Sequence, residues 1–206
     1  QELNAQYQAA IAQLTADDLD TAAEIQSLVN SVNYAPEFVA PTEITLVEGD
    51  AIRSLLEGTD QSGDDVYFSI VAGQDLPDAN LQIVEEMGAV YLVSEAVNED
   101  QYGNAVTADT SFVVTVEVDD GIYGNQVQAD ILVTLLDREI FTISSAVGDS
   151  TAAQALTVAD FQSVAGLANV YPENIAAYQS AVLNAVSAAD LAEIQSLVDA
   201  VNINFS

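Results

Sequence analysis

The sequence predicts an α+β chain: an antiparallel β-sandwich set between all-helical segments, with a helical hairpin before it and a three-helix bundle after it. Three observations predict this. Apolar residues recur at helical spacing up to Asn33, at a period of two through the middle, and at helical spacing again after Val147. β-Branched and aromatic residues crowd into the middle region, in short runs separated by Gly, Asp and Asn. A nearly identical peptide, "AEIQSLVNSVN" from Ala23 and "AEIQSLVDAVN" from Ala192, ends both helical regions.

Each element follows from its residues. In the first segment Tyr7, Ile11 and Leu14, then Ile25, Leu28, Val29 and Val32, mark the apolar stripe of two helices, and "TADD" offers Thr15 as the N-cap of the second. Two prolines in "NYAPEFVAPTEITL" end the helical pattern, and a Thr/Ile alternation opens a strand. Strands are then expected at "VYFSIV", "LQIV", "AVYLV", "SFVVTVEV", "VQADILVTLL" and "EIFTIS". On two of them the inward faces are Phe112, Val114, Val116 and Val118, and Ala129, Ile131, Val133 and Leu135, with "DDGIYGN" carrying the hairpin. "GDSTAAQ" reads as a small, polar connection, so limited proteolysis is expected to cut near Val147–Ala153. Three helices follow, the middle one opened by Pro172 and the last capped by Ser187. The expected divisions are 1–34, 37–147 and 151–203.

The duplicated peptide extends into a longer match. Tyr7-Gln8 pairs with Tyr178-Gln179, and nine of fourteen residues counted from Asp20 and Ala189 are identical. The spacing is far beyond the roughly 20 to 50 residues of a solenoid repeat. One reading is a tandem array of helical module plus β module, cut so that the chain starts partway through one helical module and ends after the next. The other is a pseudo-symmetric bundle in which the two copies pack together and bring the termini side by side.

Composition excludes several functions. There are 33 acidic side chains against Arg53 and Arg138 alone, with no lysine and no histidine, for a formal net charge of −31. Nucleic acid is not a partner for such a surface, because phosphates must be neutralised by Lys or Arg. No run approaches the roughly 20 apolar residues of a membrane span, so no membrane insertion is expected. Without Cys, His or Lys, thiol, imidazole and Schiff-base catalysis are absent, as are disulfides and lysine crosslinks. A paired-carboxylate glycosidase would want aromatic stacking, yet there is no Trp and the tyrosines are scattered. The chain is expected to be a soluble, non-catalytic piece of something larger, and its acidity suits an extracellular setting with salt.

"PTEITL", "DDVYFSIVAG", "GAVYLVSEAVNED", "FVVTVEVDDG" and "ADILVTLLD", in order over Pro41–Asp137, resemble a bacterial cadherin-like domain. The resemblance covers about half the chain and implies a cadherin/Ig-like sandwich from a giant repeat-containing surface adhesin of the repeats-in-toxin type. The flanking "TVADFQSVAGLANVYPENIAAYQSAV" and "AEIQSLV" are similar to helical repeats of large bacterial surface proteins. It further implies an extracellular location on the bacterial surface, neighbouring repeats as partners, and calcium at module junctions. Position by position, the family's acidic pair falls on Glu99 and Asp100, its Asp before a Gly turn on Asp119 or Asp120, and its terminal acidic linker on Asp137. There this chain departs, reading Asp137-Arg138-Glu139; an arginine opposes a cation, and "DREI" reads equally as an acidic turn holding its own arginine.

Calcium takes six to eight oxygens at about 2.3–2.6 Å, supplied by carboxylates from loops that meet in space. The clusters able to supply them are "EGTDQSGDD" with Glu57, Asp60, Asp64 and Asp65, "NEDQ" with Asn98, Glu99 and Asp100, and "DDG" with Asp119 and Asp120. The expected metal ligands are Asp64, Asp65, Glu99, Asp100, Asp119, Asp120 and Asp137, and against each stands the plain alternative of a solvated acidic surface. The expected function is a structural spacer. A module binding a cell-surface ligand, such as a polysaccharide or peptide, through "GQDLPDAN" and "VNEDQYGNAVTADT" is the alternative.

Overall fold

The computed structural model describes residues 2–14, 20–77, 79–121 and 125–205. Two helices, α1 (Glu2–Ile11) and α2 (Ala22–Val32), come first. The second helix starts later than the sequence suggests. Thr21 is its N-cap, forming a capping box with Glu24, while the expected Thr15 lies outside the described residues.

Eight strands follow: β1 (Glu37–Ala40), β2 (Glu43–Val47), β3 (Ala51–Thr59), β4 (Tyr67–Ile70), β5 (Gln82–Glu86), β6 (Ala89–Ala96), β7 (Thr110–Asp119) and β8 (Val127–Leu136). They form two four-stranded sheets, ordered β1-β3-β6-β5 and β2-β8-β7-β4. Between β1 and β2 lies Pro41, preceded by a cis peptide bond. A residue without an N–H suits the place where the chain leaves one ladder and joins the other. β3 is absent from the runs read as strands. Its "LL" pair blurs the alternation, although Ile52 and Leu56 are buried at even spacing.

One pairing departs from the expected antiparallel pattern. β2 runs parallel to β8, from Glu43 opposite Leu132 to Val47 opposite Leu136. Parallel neighbours need a long connection, and here five strands separate the two. The inward faces of β7 and β8 are those expected: Phe112, Val114, Val116, Val118, Ile131, Val133 and Leu135 are buried, with Ala129 half-buried beside them. Ile52, Leu56 and Leu92 of the other sheet join the same apolar cluster, so the two sheets share one core.

The β5–β6 hairpin turns on Met87 and Gly88, with φ of 54° and 78°. Two successive positive φ values mark the turn whose twist fits a two-residue hairpin, which favours Asn-Gly. The Met87 side chain is fully exposed and gains nothing there. Met87→Asn is expected to stabilise the chain by about 1 kcal/mol, read as a rise in melting temperature.

"EIFTIS" is not a strand. Arg138–Ser144 forms α3, because the Asp137 carboxylate accepts the Ile140 N–H at 2.8 Å, and Ile140 and Ile143, three apart, turn inward together. α4 (Ser150–Ala155), α5 (Val158–Ser163), a 3-10 turn at Pro172–Asn174, α6 (Ile175–Asn184) and α7 (Leu191–Phe205) complete the unit. The supposed polar connection at "GDSTAAQ" is therefore ordered. Asp149 caps α4 through the Thr151 and Ala152 N–H groups, and Ala146 and Ala153 are buried, which removes the reason for cleavage there. Ser187 does not cap α7 either. Asp190 accepts the Glu193 N–H at 2.9 Å, while the Ser187 hydroxyl donates to the Glu193 carboxylate at 2.6 Å. A second apolar cluster, including Ile143, Phe161, Val164, Tyr178, Val182, Ile194 and Val198, holds these helices together.

Candidate metal centre

Strand register defines two poles of the paired sheets. At the amino pole, Glu37 lies opposite Thr59 and Tyr67 opposite Asp119. At the carboxyl pole, Val47 lies opposite Leu136 and the chain passes into α3. The sequence-predicted ligands divide between them.

The carboxyl pole holds Glu99, Asp100 and Asp137, of which Asp100 and Asp137 are already hydrogen-bonded. Arg138 Nε donates to the Glu48 carbonyl at 2.6 Å and its Nη2 to Asp50 Oδ1 at 2.9 Å, so the guanidinium supplies the positive charge at this pole. Gly49 leaves room for it, since a Cβ there would lie 3.2 Å from Arg138 Nη2 and 3.5 Å from Asn98 Oδ1. Asp137 is 2% exposed and spent on the α3 cap, while its own N–H donates to Asp109 Oδ1 at 2.9 Å. Asp100 accepts from the Tyr102 and Asn104 N–H groups and the Asn104 side-chain amide, which closes its own loop. The Asn104 amides, side chain foremost, hold the Asp100 carboxyl below its usual range. Glu99 pairs across that loop with Ala105. Asp100 and Asp137 thus accept three backbone N–H groups between them, while the Arg138 guanidinium lies on Glu48 and Asp50.

Burial pushes the Glu48 carboxyl up, Glu139 and Asp137 add to it, and Arg138 opposes. A carboxyl raised in the folded state favours folding when protonated, and that contribution is lost as pH rises through the raised value. Arg138→Ala is therefore expected to cost about 1 kcal/mol at pH 7. The loss should fade as pH falls below the carboxylate range, which denaturation at pH 7 and pH 3.5 checks.

The amino pole differs in kind. Asn33, at the end of α2, is 1% exposed, and its Nδ2 donates to Asp120 Oδ2 at 2.7 Å. Asp120, 6% exposed, accepts a second amide from Asn125 at 3.2 Å. In the β3–β4 loop Asp60 Oδ1 accepts the Ser62 and Asp64 N–H groups at 2.6 and 3.3 Å. Among the described residues, three buried oxygens then have no hydrogen-bond partner: Asn33 Oδ1, Asp60 Oδ2 and Asp64 Oδ2. Burial first, then Asp60 and Asp120, push the Asp64 carboxyl up. Tyr7 of α1 stands near enough that, after burial, Asp64 and Asp120 raise its phenol too.

All three orphaned atoms are acceptors, and a buried acceptor without a donor costs roughly 1–3 kcal/mol. Oxygens from carboxylates and an amide are the donor set of a hard cation, so the residues fit calcium in chemistry. Among the described residues no three acidic side chains are grouped closely enough to hold an ion as they stand. Of the expected ligands here, Asp64 and Asp120 lie on neighbouring loops, Asp64 bonded to Asp60 through its N–H and Asp120 to Asn33, with Asp120 near enough to help raise the Asp64 carboxyl. Asp119 is used locally, accepting the Gly121 N–H at 2.8 Å and the Gln126 amide at 3.4 Å. Asp65 lies exposed beside Tyr67 along the β4–β5 side. Asn33 is the residue sequence reasoning missed; its only signal was "VNYAPEF", which runs from α2 into the first strand.

The second of the two long loops expected to bind a ligand lines, through Thr107, Ala108 and Asp109, a cavity of about 580 Å³ shared with Ile140, Gly166 and Leu191, and both loops border a smaller cleft of about 220 Å³ beside Pro77, Ala79, Asn98 and Glu99. The smaller cleft is below the roughly 300–1,000 Å³ of ordinary ligand pockets.

Two four-stranded sheets that share one apolar core, set between helices, define this chain as a mixed-sheet α+β protein. No protein-family profile matches it, and no curated protein matches it. Among solved structures it is similar to human protocadherin-24 EC1-2, at 26% identity over 52% of this chain and 45% of that one, with a TM-score of 0.37. It is also similar to titin domain M7, at 12% identity over 50% and 95% of the two chains (TM-score 0.34). An endo-fucoidan hydrolase of glycoside hydrolase family 107 matches at 20% identity over 50% of this chain and 14% of that one (TM-score 0.35).

Proposed function

We propose that this chain is a non-catalytic spacer segment of a large extracellular bacterial adhesin: a cadherin-like sandwich between helical modules, joined to neighbouring repeats and stiffened by calcium at its amino pole. The observation that carries the reading is the path of the chain. It enters the sheets at one pole and leaves at the other, with a helical unit at each. β2 and β8 run parallel from the first pole to the second, so pulling the ends apart loads their ladder in shear. Five paired positions then resist together, whereas the short helices of the second unit unravel one turn at a time. Asn33, Asp60, Asp64 and Asp120 would hold the cation, which would satisfy the partnerless oxygens of Asn33, Asp60 and Asp64 and tie α2 to the sheets. At the other pole the Arg138 guanidinium makes the corresponding tie, to Glu48 and Asp50.

The test is mechanical. In force spectroscopy through the termini in calcium, the helices should yield first and the sheets at a distinctly higher force. Sheets and helices giving way together at low force would sink the spacer reading.

A further inference from the structure

The two copies of the helical peptide have opposite fates. In α6–α7, Tyr178 and Val182 are buried at 1% and 0% exposure, and Ile194, Val198 and Val201 at 0%, 0% and 8%. They are covered by Ile140, Ile143, Leu156, Phe161 and Val164 of α3–α5 and the segments between them. Phe161 packs 5.4 Å from the Tyr178 ring, and Gln179 Nε2 grips the end of α4 through the Gln154 and Leu156 carbonyls at 3.1 and 2.8 Å.

The counterparts in α1–α2 are Tyr7, Gln8, Ile11, Ile25, Val29 and Val32. Only Val32 is buried. Ile11 is 47% and Ile25 50% exposed, Tyr7 and Val29 are half-buried, and the Gln8 amide donates to Asn4 in its own helix, at 3.3 Å. Closely similar side chains are thus presented twice, fully covered in α6–α7 and, Val32 apart, half-buried or exposed in α1–α2.

We infer that the exposed face of α1–α2 is a docking surface for a helical unit of the α3–α5 kind, supplied by an adjoining module, which completes a second bundle like the one at the carboxyl pole. The inference deepens the spacer reading and rests on its repeat arrangement. What identifies the occupant is the internal copy: a face that repeats Tyr178, Gln179, Ile194, Val198 and Val201 of α6–α7, with Ile11 in place of Val182, is complementary to what covers α6–α7. A second whole chain is less suited, because its α3–α5 face is already filled by its own α6–α7.

The experiment extends the full chain by joining a copy of residues 137–171 ahead of Gln1, which places the copy in register with α1 as the original stands to α6. Amide hydrogen exchange is followed across α2 in the extended and original chains. Extension should slow exchange in α2 by at least about tenfold. Ile25→Asp should abolish that gain in the extended chain while leaving exchange in the original unchanged. Phe161→Asp in the added copy alone should also abolish it. Unchanged exchange on extension, or protection that survives Phe161→Asp in the copy, overturns the inference. So does concentration-dependent protection of α2 in the unextended chain, which would make a second copy the occupant. None of these outcomes depends on the order in which sheets and helices yield to force, so this inference and the spacer reading fail separately.

Discussion

Millimolar calcium is expected to raise the melting temperature of the sheets by about 10 °C, and sodium at equal ionic strength to do much less. The chain between Glu37 and Phe141 carries 22 acidic residues against both arginines, so any salt screens some repulsion. The calcium-specific part is expected from the amino pole, where Asn33, Asp60 and Asp64 present oxygens without partners among the described residues. At a concentration 100-fold above the dissociation constant, binding adds roughly 2.7 kcal/mol to folding.

The sign with pH follows from Asp64, whose carboxyl is held above its ordinary 3.8 by burial, Asp60 and Asp120. Raised in the folded state, it favours folding while protonated. In chelator, stability should therefore fall as pH rises from below 3.8 through the raised value, and calcium should reverse that slope. Asp64→Asn should stabilise the chain in chelator at pH 7 and remove the calcium shift, whereas Asp119→Ala should leave the shift intact, because Asp119 serves only its own turn. Equal stabilisation by sodium and calcium at matched ionic strength would mean the acids form a solvated surface.

Phe161→Ala is expected to cost the helical unit about 4 kcal/mol and to leave the sheets unmoved. Phe161 is 1% exposed and packs 5.4 Å from the Tyr178 ring, so truncating it opens a cavity inside the helical cluster. The two apolar clusters have no residue in common, although only Asp137 separates β8 from α3. Calorimetry should show an early helical transition split from an unchanged later one. A single transition, shifted as a whole, would show that the junction through Asp137 couples the two clusters into one cooperative body.

What the residues determine alone is local. Phe112, Val114, Val116 and Val118 face inward because alternation with a period of two places them on one side of a strand, wherever that strand lies. Tyr178 and Val182, or Ile194 and Val198, share a helical face for the equivalent reason. The missing Cys, His, Lys and Trp constrain chemistry before any folding. Short segments are where local pattern fails. "EIFTIS" alternates like a strand, yet becomes a helix because Asp137 can cap it and a helical core lies beside Ile140 and Ile143. Only tertiary structure decides which acids meet. Asp64 and Asp120 belong to different strand connections, and Asn33 to the end of α2; strand register brings them to one pole and sends Glu99, Asp100 and Asp137 to the other. Arg138 reaches Glu48 and Asp50 across some ninety residues of chain, since β2 lies alongside β8. Spacing along the chain carries no information about such meetings, because the distance between two loops is set by how strands pair and not by the residues the loops contain.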